Sequence, residues 1–398
     1  MGNRENLVQE MVARFGVEAE SVRLVRSPYR VCPLGAHIDH QGGTVTAMAI
    51  DQAVWLAYTR LDSPTVRLQS RNFPGEVRFD IHAVPTARDG DWGNYARGAV
   101  EALQQAGHRL RYGLVGVTDG SLGEGGLSSS AAIGVAYLLA LEQANDLDLD
   151  GETNVRLDQA IENGYLGLRN GILDQSAILL SRRDHLTVID CRRRTHECVS
   201  TSGSPPTFLI VFSGLRQALV GTDYNRRVDE CRSAARSLLA AAGRDGDEPL
   251  LGNLSPDEYE LHTGAITGPP ARRARHFFSE MARVQAGITA WHGGDLDELG
   301  RLMTASGASS ISNYECGAPP LVDLFEILRD TDGIQGARFS GAGFRGCCVA
   351  LVKPEAASAT AEQVRRRYAE VRPDLAAAAP PPLICASADG AALVAPIE

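Results

Sequence analysis

Apolar and polar positions recur along the chain with two periods, and these divide it into helices and strands. Apolar residues three and four positions apart predict helices over 4–15, 93–106, 130–145, 152–167, 171–181, 224–242, 270–292, 295–306, 319–330 and 354–370. Alternating β-branched and polar residues predict strands over 21–33, 44–61, 65–72, 113–120, 185–190, 207–213, 336–341, 347–353 and 382–387. The pattern predicts an α+β protein, with the strands at 185–190 and 207–213 closing its first half.

Two domains are expected because 398 residues are more than one hydrophobic core usually holds. The most turn-rich stretch in the middle of the chain is TSGSPPT, at 201–207, and it predicts a boundary there. We therefore expect an N-terminal domain over 1–203 and a C-terminal domain over 204–398. The run AAAAPPP, at 376–382, is interpreted as a spacer before the last strand.

Composition excludes several classes of partner. The formal net charge is −10, and no basic run with interleaved aromatic residues occurs, which argues against a nucleic acid. No apolar run approaches the roughly 20 residues of a membrane span, and the N-terminus lacks a signal-peptide core. The eight cysteines are scattered without zinc-type spacing, as expected of free thiols in a reducing compartment. We expect a cytoplasmic protein.

Two glycine-rich loops are candidates for ligand binding. The stretch 33-PLGAHIDHQGG-43 places histidines and an aspartate on a turn, which suits a small polar ligand, yet the methyl of Ala36 leaves a gap among them. The loop 120-GSLGEGGLSSSAA-132 follows a strand and opens a helix, a position that suits phosphate. It is not a Walker A loop, since the only lysine of the chain is Lys353. A helix cap with a tight turn remains the alternative.

Two further motifs are ambiguous by themselves. Asp174, in 170-NGILDQSAILL-180, lies in an otherwise apolar helix and is either a structural acid near the helix start or a group for proton chemistry. The segment 341-GAGFRG-346 matches a dinucleotide fingerprint by letter, but a strand follows it where that site requires a helix. A hairpin turn is the simpler interpretation of this segment.

Taken in order, these motifs resemble the GHMP small-molecule kinases, and most closely their galactokinase branch. The sugar signature of that branch, GRVNLIGEHTDYNGG, aligns without gaps to YRVCPLGAHIDHQGG. Its CGIMDQ aligns to NGILDQ, and its third motif, G(A/S)RMTGGGFGGC, aligns to GARFSGAGFRGC. Within the branch, the motifs are most similar to those of the plant-type galacturonokinase group. The resemblance implies a two-domain GHMP kinase fold, with an N-terminal domain like ribosomal protein S5 domain 2 and an active site in the interdomain cleft.

The resemblance also implies roles for individual residues. Asp174 would be the catalytic base, and Arg30 would hold it ionised and neutralise charge on the transferred phosphoryl group. Mg²⁺ would be bound by Ser130 and Glu162. ATP would be bound by Gly123, Gly125, Gly126, Leu127, Ser128, Ser129 and Ser130, with Trp92 near the adenine. The sugar would contact His37, Asp39, Gly171 and Tyr224, which match family positions. Ala36 and Arg345 are also expected at the sugar, but they depart from the family pattern.

One departure from the branch points to the substrate. Galactokinases carry a glutamate where this chain has Ala36, and it binds the C6 hydroxyl of the sugar. A carboxylate on C6 would be repelled by that glutamate, so alanine suits a uronic acid. The resemblance therefore implies an ATP-dependent kinase of the anomeric hydroxyl of D-galacturonic acid. A carboxylate needs a cation, for which Arg345 is preferred over Arg169 and Arg216.

Other activities remain open at this point. A galactokinase, or a kinase of glucuronate or L-arabinose, would share the same motifs. A sugar-binding and ATP-binding regulator without turnover belongs to a different class, and the intact GLSSSAA loop, Asp174 and Arg30 argue against it. The sequence does not decide between a monomer and a dimer.

Overall fold

Two antiparallel or mixed sheets and the helices around them make up the computed structural model, which describes residues 3–120, 125–215, 223–344 and 346–394. In these ranges, helices α1 to α12 span Asn3–Phe15, Asn94–Gln105, Ser129–Ala144, Gly151–Ala160, Leu173–Leu180, Tyr224–Ala241, Pro256–His262, Gly268–His292, Leu296–Ser309, Pro319–Arg329, Ala357–Val371 and Pro373–Ala378. Strands β1 to β12 span Arg23–Val31, Thr44–Arg60, Thr65–Ser70, Glu76–Asp80, Leu114–Gly120, His185–Asp190, Thr195–Ser200, Thr207–Phe212, Ile334–Phe339, Cys347–Val352, Leu383–Cys385 and Ala392–Val394.

The first sheet is built almost entirely from the N-terminal half. Its strand order is β12-β1-β2-β5-β3-β4, and the long β2 also pairs with β6, which pairs with β7. Among the strands that the structure describes, only β3 and β5 are parallel neighbours in this sheet; the other pairings are antiparallel. The second sheet has the order β11-β8-β10-β9 and is antiparallel throughout. The α+β fold class is confirmed.

Several predicted elements differ from the observed ones. Strand β8 belongs to the second sheet, so the expectation that it closes the first half was wrong. The helix predicted over 152–167 ends as an α-helix at Ala160 and continues as a π-helical turn over Ile161–Tyr165. Part of the expected spacer is helix α12, which begins with a proline at its first position and continues in alanines.

The two halves of the chain are tied together by the C-terminal segment. Strand β11 completes the second sheet beside β8, and β12 then pairs with β1 in the first sheet through Val394 and Leu24. The sheets themselves divide near the turn-rich stretch at 201–207, but this last strand returns to the first sheet. The division at 203/204 therefore stays a prediction.

Helix α3 positions the phosphate-type loop at the centre of the first half. It is apolar on all sides and its residues are mostly buried, because it packs on β1 and β2 and against α2, α4 and α5. From the second half, the long α8 reaches β2 and packs against α6 and α9. No described helix combines the length and the apolar character needed to cross a membrane.

Candidate active site

A cavity of about 760 Å³ brings the predicted motifs together, although they are far apart in sequence. Its volume falls in the usual range for small-molecule sites, roughly 300–1,000 Å³. Leu127 and Glu162 are buried but do not line it, and Gly123 and Arg345 lie outside the described residues. The predicted site residues that line the cavity are Arg30, Ala36, His37, Asp39, Trp92, Gly125, Gly126, Ser128, Ser129, Ser130, Gly171, Asp174 and Tyr224.

An ion pair links the end of β1 to the start of α5. Arg30 Nε donates to Asp174 Oδ1 at 2.8 Å, with the arginine side chain 3% exposed and the aspartate 27% exposed. Arg30 Nη1 also donates to the carbonyl of Gly126 at 3.0 Å. Burial lowers the pKa of Arg30, but the carboxylate of Asp174 offsets this and the pKa is raised. A permanently charged guanidinium therefore joins the acid to the phosphate-type loop.

The loop before α3 lines the cavity in a backbone conformation with several positive φ angles. Gly125, Gly126 and Ser128 have positive φ angles of 81°, 93° and 58°. A side chain at Gly126 would come within 2.8 Å of the Sγ of Cys347, so the loop packs closely on β10. Leu127 is 1% exposed, which anchors the loop in the core.

The helix-cap interpretation of this loop is not supported. Ser128 precedes the first residue of α3, yet its side chain makes no cap hydrogen bond. Its buried Oγ has no hydrogen-bond partner among the described residues, and the residue lines the cavity. The N-terminus of α3 thus retains unpaired N–H groups and the positive end of its dipole beside the cavity, an arrangement suited to phosphate.

Glu162 has the properties expected of a metal ligand. It lies on the π-helical turn after α4 and is 1% exposed, and its Oε2 accepts a hydrogen bond of 2.7 Å from Asn170. Burial and the charge of Asp174 raise its pKa to about 7, while the nearby Ser130 hydroxyl lowers it. Its Oε1 has no partner in hydrogen-bonding geometry within the described ranges. A cation bound to Oε1 would neutralise the buried carboxylate and would give this oxygen the contact that it lacks.

A second buried acid adds to the negative charge of this region. Asp158, one turn before Glu162, is fully buried, and neither of its oxygens has a hydrogen-bond partner in the described part of the chain. Burial and the charges of Glu162 and Asp174 raise its pKa well above the usual range. The described residues contain no group of three or more His, Cys, Asp or Glu that could hold a metal ion. Side chains of these four types alone would therefore not complete the coordination of a cation here.

The loop after β1 holds His37 and Asp39 in fixed positions. His37 has a φ of 60° and stacks on Tyr314 with ring centroids 4.2 Å apart. Burial and the neighbouring His276 keep its pKa well below the ordinary value, so the imidazole is neutral at pH 7. Burial and the charge of Asp174 raise the pKa of Asp39 to about 6. A neutral imidazole and a carboxyl group of raised pKa therefore line the cavity.

The raised pKa of Asp39 predicts a pH-dependent gain in stability for Asp39→Asn. Because the folded-state pKa exceeds the ordinary 3.8, stability contributed by the neutral acid is lost as the pH rises through about 6. A shift of this size corresponds to roughly 3 kcal/mol, which the amide would recover. Thermal unfolding should show the variant more stable than the wild type at pH 8, with the gain disappearing at pH 4.

The matched control for this prediction is Asp229→Asn. Asp229 is 63% exposed and pairs with Arg169 at the surface, where such pairs contribute little. Its replacement should give no comparable gain at pH 8. A gain for Asp39→Asn that is equal at pH 4 and pH 8 would contradict the electrostatic cause.

Gly171 allows the segment before α5 to approach the loop that carries Asp39. A Cβ at this position would collide with the carboxylate of Asp39, so only glycine fits without a shift. Both residues line the cavity. Because Asp174 follows Gly171 closely in the chain, this contact fixes how near Asp174 lies to Asp39 across the cavity wall.

The remaining predicted contacts lie at other parts of the cavity wall. Trp92 donates through Nε1 to the carbonyl of Pro74 at 3.3 Å and stacks on Phe73 with ring centroids 6.4 Å apart. Tyr224 is the first residue of α6, and burial raises its pKa well above the ordinary value. The Tyr224 phenol is therefore neutral, and its ring centroid lies 6.4 Å from that of His40.

Glu280, on α8, is a functional residue that the sequence did not indicate. Its Oε1 accepts hydrogen bonds from the backbone N–H groups of Gly35 at 2.8 Å and Ala36 at 3.2 Å. Burial raises its pKa, but His276, Arg283 and Arg338 lower it to about 2. His276 Nε2 lies 2.9 Å from the carbonyl oxygen of Ala36. A helix of the second half thus holds both sides of the Ala36 peptide.

Of the three arginines proposed as partners of an anionic ligand, only one is described. Arg216 and Arg345 lie outside the described residues. Arg169 pairs with Asp229 at 2.7 Å, is 53% exposed, and lines a separate cavity of about 460 Å³. It is not among the residues that line the larger cavity, whereas Arg338, at the end of β9, is.

Comparison with known families matches three parts of the chain. Residues 94–182 match the GHMP kinases N terminal domain, 284–370 match GHMP kinases C terminal, and 10–60 match the galactokinase galactose-binding signature. A galacturonokinase from Arabidopsis thaliana is 48% identical, and the alignment covers 97% of each chain. A galactokinase from a Roseiflexus strain is 33% identical, with 92% of each chain covered.

A solved structure supports the same assignment. Lactococcus lactis galactokinase, complexed with galactose, superposes with a TM-score of 0.89 at 30% identity, over 98% of this chain and 99% of that one. Mevalonate kinase from Methanococcus jannaschii has the same fold, with a TM-score of 0.65 at 15% identity. The chain therefore belongs to the GHMP kinase family, within its galactokinase branch, and is a sugar kinase that transfers phosphate to a hydroxyl group.

Proposed function

We propose that this kinase transfers the γ-phosphoryl group of ATP to the anomeric hydroxyl of D-galacturonic acid, giving galacturonate 1-phosphate and ADP. The observation that carries the proposal is the methyl of Ala36 in the cavity wall, beside His37 and Asp39. The similarity to the Arabidopsis galacturonokinase, 48% over nearly the whole chain, supports the same substrate.

Electrostatics decide between an acidic and a neutral sugar. A glutamate at position 36 would lie about 4 Å from a C6 carboxylate, and the repulsion would cost roughly 4 kcal/mol at an effective dielectric constant of 20. Replacing that glutamate by alanine removes one hydrogen bond to the sugar, worth about 1 kcal/mol. The larger effect favours alanine for an anionic sugar. A galactokinase would benefit from the hydrogen bond and would have no repulsion to avoid.

Asp174 would act as the general base. It lines the cavity and is 27% exposed, so one oxygen pairs with Arg30 while the carboxylate remains accessible to a ligand. Arg30 would hold the carboxylate in place, and the basic oxygen of the carboxylate would accept the proton. As the anomeric oxygen attacks, its proton would pass to Asp174. Arg30 would also stabilise negative charge on the transferred phosphoryl group.

The loop before α3 would bind the phosphates of ATP. Gly125, Gly126, Ser128, Ser129 and Ser130 all line the cavity, and backbone N–H groups and serine hydroxyls suit phosphate oxygens. Trp92, on another part of the wall, would contact the adenine. Gly123 would belong to the same loop but lies outside the described residues.

Mg²⁺ would be held by Ser130 and Glu162 together with the nucleotide phosphates. Hydroxyl and carboxylate oxygens are the ligands this ion prefers, and Glu162 Oε1 lacks a partner among the described residues. When bound, the ion would neutralise charge on the phosphates. A divalent cation would also offset the mutual repulsion of the buried acids near Asp174.

Replacement of either proposed metal ligand should raise the Mg²⁺ concentration needed for half-maximal activity. Ser130→Ala and Glu162→Ala each remove an oxygen of the kind that Mg²⁺ prefers, and a loss of about one to two kcal/mol would give roughly a five- to thirtyfold increase. Glu152→Ala, an exposed acid on α4, is the control. Unchanged Mg²⁺ titrations for both variants would show that the metal is held elsewhere.

One assay separates the proposed function from its nearest alternatives. ADP release is measured with D-galacturonate, D-glucuronate, D-galactose and L-arabinose as acceptors. The proposal expects D-galacturonate to give the highest kcat/KM. A preference for galactose would assign a galactokinase, and release with none of the four sugars would favour a binding regulator.

The proposed setting is the cytoplasm. The cysteines, all of them described, are free thiols, and six of the eight are buried. Free thiols are typical of proteins kept in a reducing compartment. The proposed partners are a small uronic acid and ATP, without nucleic acid or membrane.

A further inference from the structure

Arg338 is a buried cation for which the described residues provide no ion-pair partner. Its side chain belongs to β9, and the residue is 2% exposed. Buried arginines are normally paired, because an isolated charge in the interior is costly. The other buried arginines of the described ranges follow this rule, with carboxylate oxygens at 2.8 Å for Arg30, 2.8 Å for Arg97, 3.3 Å for Arg227 and 2.7 Å for Arg273.

The hydrogen bonds of Arg338 leave part of its guanidinium unused. Nη1 donates to the carbonyls of Cys32 at 3.1 Å and Pro33 at 3.4 Å, and Nε donates to the carbonyl of Phe339 at 3.1 Å. Nη2 donates to no described residue. The backbone contacts fix the guanidinium beside the loop after β1 but do not neutralise its charge.

The neighbouring acid Glu280 does not neutralise Arg338 either. Glu280 is close enough for Arg338 to lower its pKa, but Glu280 pairs with Arg283 at 2.7 Å and accepts from Gly35 and Ala36. No oxygen of Glu280 lies within ion-pair distance of Arg338. The positive charge of Arg338 is therefore unpaired beside the loop that carries Ala36 and His37.

Arg338 contacts the loop that carries Ala36 through the carbonyls of Cys32 and Pro33. Both residues line the large cavity, together with His37 and Cys32. The charge of Arg338 lowers the pKa values of both His37 and Cys32, so its electrostatic effect extends to this end of the cavity. A glutamate at position 36 would place a carboxylate in the same region, and the methyl of alanine does not. An anion from the ligand would occupy that place.

We infer that Arg338 is the counter-ion of the substrate's carboxylate and that, together with the space left by Ala36, it favours an acidic sugar. This inference rests on the proposed function, because it requires a sugar with a negative charge at C6. A guanidinium forms charge-assisted and often bidentate hydrogen bonds with a carboxylate, which adds geometric selection to the attraction. Arginine at this position also occurs in the related motif, so the selectivity comes from its combination with Ala36.

The test compares galacturonate with D-galacturonamide, which has nearly the same shape and no charge at C6. In Arg338→Gln, kcat/KM for the acid should fall about 100-fold further than for the amide, as expected for loss of a charged hydrogen bond in a buried site. Arg169→Gln is the control, and its ratio of acid to amide should equal that of the wild type. Equal losses for both sugars in Arg338→Gln would mean that Arg338 only positions the loop at Cys32 and Pro33, and would overturn the inference.

A second measurement does not depend on the folding of a variant. The wild-type dissociation constants of the acid and the amide are compared by calorimetry in the absence of ATP. The inference expects the acid to bind at least tenfold more tightly, and equal binding would overturn it. Wild-type turnover of galacturonate tests the proposed function separately. If the enzyme uses galacturonate but binds the amide equally well, the function stands and the role of Arg338 fails.

Discussion

Asp174→Asn should reduce kcat by about 10²–10⁴-fold while leaving ATP and sugar binding largely intact. The substitution keeps the volume of the side chain and one oxygen that can accept the hydrogen bond from Arg30 Nε. It removes the basic oxygen that would take the proton of the anomeric hydroxyl. Single-turnover kinetics measure the chemical step, and calorimetry measures the binding of each ligand.

Two control measurements test whether the loss of kcat has a structural cause instead. Arg30 is 3% exposed and would lose its only carboxylate within ion-pair distance in the described residues, so thermal unfolding of the variant should be measured as well. Asp229→Asn, which removes an exposed acid far less buried than Asp174, should retain wild-type kcat. An Asp174→Asn enzyme that kept more than about a tenth of wild-type kcat would exclude Asp174 as the base.

Periodicity was sufficient to predict most of the elements that carry the site. The helix expected over 130–145 is α3 at Ser129–Ala144, and the strand expected over 185–190 is β6 with the same bounds. Strand β12 was not predicted, because three residues near the end of the chain contain too few positions to show a period. Its pairing with β1 is a contact between distant segments, which local sequence does not encode.

The site was predictable where its residues form a motif and unpredictable where they only meet in space. Asp174 and Ser128 lie in short segments whose order along the chain identified them. Glu280 lies on α8 between residues of mixed polarity, so its sequence surroundings are those of an ordinary solvent-exposed acid. Only the packing of α8 against the loop after β1 shows that it holds Gly35 and Ala36. Arg338 likewise becomes informative only when the structure shows that it is buried without an ion-pair partner among the described residues.

Ala36→Glu should lower kcat/KM for galacturonate by about 1,000-fold, because roughly 4 kcal/mol of like-charge repulsion raises the free energy of the bound state and of the transition state alike. Glu280 and His276 hold the backbone of Ala36 on both sides. A shift of the loop would therefore not easily relieve the repulsion between the new side chain and the sugar. The kcat/KM for galactose should fall much less, and it would rise if the new carboxylate reaches the C6 hydroxyl of galactose. Steady-state kinetics with both sugars measure the change.

Ala36→Gln separates charge from size in this experiment. Glutamine has nearly the same volume as glutamate and no charge, so both variants fill the gap equally, and only the glutamate repels a C6 carboxylate. The electrostatic argument expects Ala36→Glu to discriminate against galacturonate, relative to galactose, far more strongly than Ala36→Gln does. Similar losses in both variants would mean that position 36 selects by space alone. An Ala36→Glu enzyme that used galacturonate as well as the wild type would remove the basis for the proposed substrate, since its carboxylate would then lie elsewhere in the cavity.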